Sequence, residues 1–176
     1  MRDRFGIKPF YYTQVGDLFY FASEPKALLP FLPEVATDPE AMAEYLTFNY
    51  VIGEATLFKG VRQLLPGHAL VVENGEVRTR RYWDVNYEVD WDSKPEYFQE
   101  RLVELVDDSI QVHLRSDVPV GTCLSGGLDS SSVVTCATGL IDRPVETFSS
   151  IYPDRGYDER RFIEDVAKAC NTNAHP

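Results

Sequence analysis

The tightest constraint on this 176-residue chain is the run Leu124-Ser125-Gly126-Gly127-Leu128-Asp129-Ser130-Ser131, in which paired glycines join a short apolar segment to a helix-forming one. A strand that passes through glycines into a helix leaves backbone N–H groups unpaired at the helix start, where the helix dipole favours an anion. Glycine lets the main chain approach an anion's oxygens with no Cβ in the way, and Ser125, Ser130 and Ser131 bring hydroxyl donors. A phosphate fits such a place. Asp129 would repel it, so the useful role of Asp129 is through magnesium or in fixing the loop. The rival Walker loop, G-x-x-x-x-G-K-[ST], needs a lysine beside the helix start, and none stands here. Two adjacent glycines alone are equally well explained as a tight turn, with Asp129 and the serines as helix caps.

The segments around this loop place it in a sheet. Val118 to Leu124 is an apolar run that reads as a buried strand, with Pro119 limiting pairing at its start. Residues from Ser130 to about Leu140 read as a helix, Glu146 to Tyr152 as the next strand, and Tyr157 to Cys170 as a second helix. In that helix Phe162, Ile163, Val166, Ala167 and Cys170 share one face, while Arg160, Arg161, Glu164 and Lys168 lie mostly on the other. Upstream, Ser93 and Glu96 have capping-box spacing, and Phe98, Leu102, Leu105, Val106, Ile110 and Leu114 recur at helical intervals, predicting an amphipathic helix over 94–115. The order is that of an opening parallel α/β sheet.

The first half reads differently. Apolar and aromatic residues on both sides of Gln14-Val15-Gly16-Asp17 predict a hairpin from Tyr11 to Phe21, and Asp38-Pro39 opens a short helix through about Phe48. Ala69 to Val72 and Glu76 to Thr79 flank Asn74-Gly75, residues suited to the positive φ angles of a type I′ turn. From Tyr82 to Asp92 the apolar period is lost, which puts a boundary near Tyr87 to Asp92, with an α+β domain over 1–88 and an α/β domain over 93–176.

Composition narrows the function classes. Twenty-eight acidic residues against seventeen basic ones give a formal charge of −11, which argues against a nucleic-acid or anionic-membrane surface. No apolar run approaches the roughly 20 residues of a membrane span, and Met1-Arg2-Asp3-Arg4-Phe5 lacks the apolar core of a signal peptide, so a cytoplasmic location is expected. Cys123, Cys136 and Cys170 form no CxxC pair and read as small buried apolar residues. His68, His113 and His175 are scattered and read as structural, and the many tyrosines and phenylalanines as packing.

With Ser116-Asp117-Val118-Pro119-Val120-Gly121 before it, the Ser125 to Ser131 loop resembles the synthetase signature of the glutamine-hydrolysing asparagine synthetases. Upstream, the segments Arg2 to Tyr12 and Phe21 to Leu28 resemble the later part of that family's class II glutamine amidotransferase domain. The resemblance implies a partial Ntn-type amidotransferase sandwich followed by a partial adenine-nucleotide alpha-hydrolase-like sheet. It implies a chemistry in which ATP is cleaved between its α- and β-phosphates, aspartate is activated as an acyl-adenylate, and ammonia from glutamine forms the amide. Carried over by position, Ser125, Gly126, Gly127, Leu128, Asp129, Ser130 and Ser131 would hold pyrophosphate, Asp129 a magnesium ion, and Leu124 and Ser150 would lie near adenosine. Ser150 departs from the aliphatic residue usual there. ATP, aspartate and glutamine are the implied partners, and a homodimer is compatible.

The family's glutaminase works through an N-terminal cysteine, and here no cysteine precedes Cys123. A second acidic magnesium site and a catalytic lysine of the synthetase are also missing from these residues, so the chain reads as an internal piece, inactive by itself. With only two legible strands of the family's larger sheet, an apolar sheet edge is left open and poor stability in isolation is expected. Two alternatives stand beside asparagine synthesis: a sister amide former with another acceptor, such as a β-lactam synthetase or an amidotransferase acting on a cell-envelope sugar, and a non-catalytic nucleotide-binding module.

Overall fold

The computed structural model describes every residue except 153–155 and 157. The chain divides into two compact units, Met1–Glu88 and Val89–Pro176. The first is built of antiparallel strands with a helix; the second is a parallel sheet with helices.

In the first unit β1 (Tyr11–Val15) and β2 (Leu18–Ala22) form the expected hairpin, closing from Val15 to Leu18 over Gly16, whose φ is +59°. Two 3₁₀ turns, Pro25–Ala27 and Leu29–Phe31, lead to α1 (Pro39–Phe48). The Asp38 carboxylate caps α1 by accepting from the Glu40 and Ala41 amides, and Pro39 supplies a preset φ where no intrahelical donor is needed. The short β3 (Arg62–Gln63), invisible in the apolar pattern, pairs with β1. A second hairpin joins β4 (His68–Glu73) to β5 (Glu76–Arg81) through Asn74 and Gly75, at φ +53° and +80°. Two successive positive φ angles make this the type I′ turn that the dipeptide predicts. Leu28, Ala41, Val61 and Leu64 are the buried centre of this unit.

The chain's start is pinned by side chain to main chain bonds. Asp3 accepts from the Phe5 and Ile7 amides through Oδ1 and from the Lys8 amide through Oδ2. The Arg2 guanidinium donates to the carbonyls of Lys8, Gly6 and Leu64. The Lys8 amide, joined by those of Ile7 and Phe5, holds the Asp3 carboxyl below its ordinary value of 3.8 against the opposing pull of burial. A depressed folded value means the clamp contributes fully above pH 3.8 and is lost as pH falls from there through the folded value. Thermal melts between neutral pH and pH 2 should therefore show Asp3→Asn melting below the parent at neutral pH, with the gap closing in acid. A constant gap would mean that the carboxylate charge is not what the clamp uses.

In the second unit α2 (Pro95–His113) begins with Pro95 at its first position and Lys94 as N-cap, and the Lys94 side chain makes no cap bond. The Ser93–Glu96 capping box is not formed: the Ser93 amide instead donates to Asp90. Of the apolar stripe, Val106, Ile110 and Leu114 pack against Ala137 and Val145, whereas Phe98, Leu102 and Leu105 are exposed. The partner helix α3 (Leu128–Leu140) has 13 residues to the 19 of α2, so it covers only part of that stripe.

The sheet holds three parallel strands in the order β6 (Gly121–Cys123), β7 (Glu146–Phe148) and β8 (Asn173–His175), with α3 and α4 (Arg160–Cys170) as the crossovers. Only two strands are legible in the apolar pattern; β8 is the third. Strands β6 and β7 are shorter than expected, and α4 starts at Arg160. The expectation of a helix from Tyr157 falls at its first residue outside the described positions. Leu124, Val134 and Ile163 form the second buried cluster, joined by Val166, Ala167 and Cys170. Phe162 was expected on that face and is instead exposed, and Cys123 is exposed where a buried cysteine was expected. Among the described residues no helix is long and apolar enough to cross a membrane.

Candidate functional site: the loop between β6 and α3

Leu124 ends the β6 run and is 1 % exposed. Its amide donates to the Phe148 carbonyl, and its carbonyl accepts from the Ser149 hydroxyl at 2.7 Å. The loop therefore leaves the sheet from a fixed point. Gly126 follows at φ +81°, and a Cβ built there would lie 2.7 Å from Cβ of Phe162 and 3.0 Å from the Ile163 nitrogen. Both the backbone angle and the first turn of α4 demand glycine at this position. Gly127 is the N-cap of α3 at φ −74°, an angle open to any residue, and a Cβ there would meet nothing closer than Ser125 Oγ at 3.5 Å.

The serines tie the loop to itself. The Ser125 amide donates to Ser130 Oγ at 3.2 Å, the two hydroxyls lie 3.0 Å apart, and Ser130 Oγ donates to the Gly127 carbonyl. The Gly127 amide in turn donates to Ser125 Oγ at 3.4 Å. A hydroxyl has one proton and two lone pairs. With the Ser130 proton on Gly127 and the Ser125 proton on Ser130, both are committed inside the loop. The sequence suggests hydroxyls aimed at an anion; in this arrangement those of Ser125 and Ser130 hold the loop's shape, and among the described residues the donors left free are the Ser131 hydroxyl and main-chain amides. The first α-helical bond runs from the Ser131 amide to the Gly127 carbonyl, so the amides of Leu128, Asp129 and Ser130 have no intrahelical acceptor. Leu128 is exposed. Asp129 stands in the first turn of α3, and among the described residues its carboxylate has no hydrogen-bond or ion-pair partner.

Beside the loop lies an open cleft of about 540 Å³ at the carboxyl ends of the three parallel strands. Leu124, Ser125 and Ser150 line it together, as do Tyr152, Glu159 and His175. Open parallel sheets commonly bind ligands outside the carboxyl ends of their strands, which makes this cleft a candidate site. His175 is stacked on Phe148, ring centroids 4.9 Å apart, and its Nε2 lies 2.6 Å from Glu146 Oε2. Asn173 donates to the other oxygen of Glu146 at 2.7 Å, and Asn173 first and His175 second hold that carboxyl below its usual range. His175 reads as merely structural in the sequence because its neighbours come from a strand 27 residues or more away.

Among the described residues no three His, Cys, Asp or Glu side chains converge as a metal cage. Magnesium does not need one: it is commonly held through one or two carboxylates with substrate phosphates completing the shell. An unengaged Asp129 carboxylate beside the free amides of the same helix turn fits that shared arrangement.

Comparison with known proteins divides the chain in a similar way. Residues 1–83 match a family of glutamine amidotransferase domains, and residues 101–176 match the asparagine synthase family. Asparagine synthetase [glutamine-hydrolyzing] 1 of Bacillus subtilis (strain 168) is 36% identical over 96% of this chain and 26% of its own length. Asparagine synthetase [glutamine-hydrolyzing] 3 of the same organism is 34% identical over 99% of this chain and 31% of its own. Amidase chyE of Penicillium rubens is 36% identical over 80% of this chain and 21% of its own length. The chain thus spans about a fifth to a third of these relatives.

Proposed function

This chain belongs to the asparagine synthetase family, and on that premise we propose that it is part of an enzyme that forms asparagine from aspartate, glutamine and ATP. Residues 1–88 are then the later part of an Ntn-type glutamine amidotransferase domain. Residues 93–176 open the ATP-pyrophosphatase domain, a partial adenine-nucleotide alpha-hydrolase-like sheet. The observation that carries the reading is a glycine loop at the carboxyl end of β6, with unpaired helix-start amides beside a cleft that Leu124, Ser125 and Ser150 share.

In this reading the aspartate side-chain carboxylate attacks the α-phosphorus of ATP, the bond to pyrophosphate breaks, and ammonia then displaces AMP to leave the amide. The Ser125 to Ser131 loop receives the departing pyrophosphate. Its amides donate to oxygens whose charge grows as the bond breaks, and one such donor is typically worth about 10²–10³ in rate. The serine bonds set those amides in place beforehand, so little reorganisation accompanies the step. Leu124 and Ser150 bound the adenosine end. Asp129 would hold a magnesium ion together with phosphate oxygens, and the ion would supply positive charge against the phosphates.

Likeness to an amidase at the same identity as to a synthetase supports a second reading, in which the acceptor is not aspartate, since the loop reads ATP and not the acceptor. The test is calorimetric titration of the chain with Mg-ATP, followed by pyrophosphate release from a version extended at both ends. Saturable binding, with release that requires aspartate, is expected. Release driven by another acceptor would select the second reading, and absence of saturable binding would sink both.

A further inference from the structure

Glu159 is the N-cap of α4, yet its side chain makes no cap bond, and among the described residues its carboxylate has no hydrogen-bond or ion-pair partner. Its neighbour Asp158 is used locally, accepting from the Arg160 amide. Glu159 is nonetheless held in place by its backbone. The amides of Phe162 and Ile163 donate to its carbonyl at 3.0 and 3.2 Å, and those same two residues are the ones Gly126 is seated against. The first turn of α4 and the glycine loop are thus locked together, and Glu159 lines the cleft with Leu124, Ser125 and Ser150.

A carboxylate beside an anion-binding loop is repelled by phosphate, so it takes part either through a cation or by accepting from a neutral hydrogen-bond donor, and in the reading above Asp129 takes the first of these roles. In a nucleoside triphosphate the neutral donors nearest the phosphates are the ribose hydroxyls; the base's amine lies further off. Acidic side chains near the carboxyl ends of parallel strands accept ribose hydroxyls in other open α/β sheets. On the nucleotide reading above, we propose that Glu159 is a specificity residue of the cleft, its carboxylate accepting from the ribose hydroxyls of ATP.

The full chain and its Glu159→Ala and Glu159→Gln variants are titrated with Mg-ATP and with Mg-2′,3′-dideoxy-ATP. Hydrogen bonds to a charged acceptor predict that the parent prefers ATP by about tenfold to a hundredfold. Glu159→Ala should lose that preference with its affinity for the dideoxy nucleotide unchanged, and Glu159→Gln should keep part of it. At most a small fall in melting temperature is expected of both variants, because among the described residues the side chain makes no bond and only its interaction with the α4 dipole is lost. Equal weakening of both nucleotides, or no change in either, would overturn the assignment while leaving the nucleotide reading standing. A parent chain that binds neither nucleotide would overturn both.

Discussion

Gly126→Val unfolds the second unit or shifts its melting temperature down by at least roughly 10 °C, whereas Gly127→Ala leaves it close to the parent. The two glycines are adjacent in sequence and opposite in their physical demands. At φ +81° a side chain is strained whatever the space, and a Cβ at Gly126 would stand 2.7 Å from another Cβ and 3.0 Å from a backbone nitrogen. Neither neighbour is the end of a flexible side chain, so α4 or the loop must shift. Left-handed strain of about 1–2 kcal/mol and overpacking of about 1–3 kcal/mol add to a cost of roughly 2–5 kcal/mol. Gly127 has ordinary φ and open space, and its change to alanine forfeits only N-cap preference, up to about 1 kcal/mol. Thermal denaturation followed by circular dichroism checks both variants in one experiment. Equal melting temperatures would show that α4 does not constrain the loop.

The difference between the two glycines marks where sequence reasoning stops. The paired glycines and the following serines are local, and they are enough to put a glycine loop ahead of a helix. Asn74-Gly75 is legible for the same reason, because the turn that it makes depends on those two residues' own φ angles. What stays hidden depends on partners distant in the chain. Strand β8 is three residues, Asn173-Ala174-His175, held by main-chain bonds to β7, and no apolar run announces it. Phe162 fits a buried face by period, yet its ring stays exposed while its Cβ closes against Gly126. The Ser149 hydroxyl on the Leu124 carbonyl joins residues 25 apart. In α2, period alone marks Phe98, Leu102 and Leu105 as core, but burial depends on the length of α3 as well.

Asp129→Ala should abolish magnesium-dependent ATP binding by the chain and lower pyrophosphate release from the extended enzyme by about 10²–10³, the range seen when one charge-stabilising group is removed. Its effect on folding should be slight. The carboxylate makes no bond to the described residues, so only its interaction with the α3 dipole is lost, worth about 0.3–1 kcal/mol at an exposed helix start. The separation matters because removing a negative charge from a phosphate site has two opposed consequences. If Asp129 acts through magnesium, its loss weakens binding when magnesium is present and matters little without it. If it only shapes the loop, its loss relieves repulsion, and metal-free ATP should bind the alanine variant at least as well as the parent. Titrations of parent and variant with ATP, in magnesium and in a chelator, give four affinities. A loss confined to the magnesium pair identifies Asp129 as the protein's hold on the metal. A loss of equal size in both pairs, or a gain in the chelator without a loss in magnesium, removes magnesium from its role and leaves the helix-start amides as the loop's means of holding phosphate.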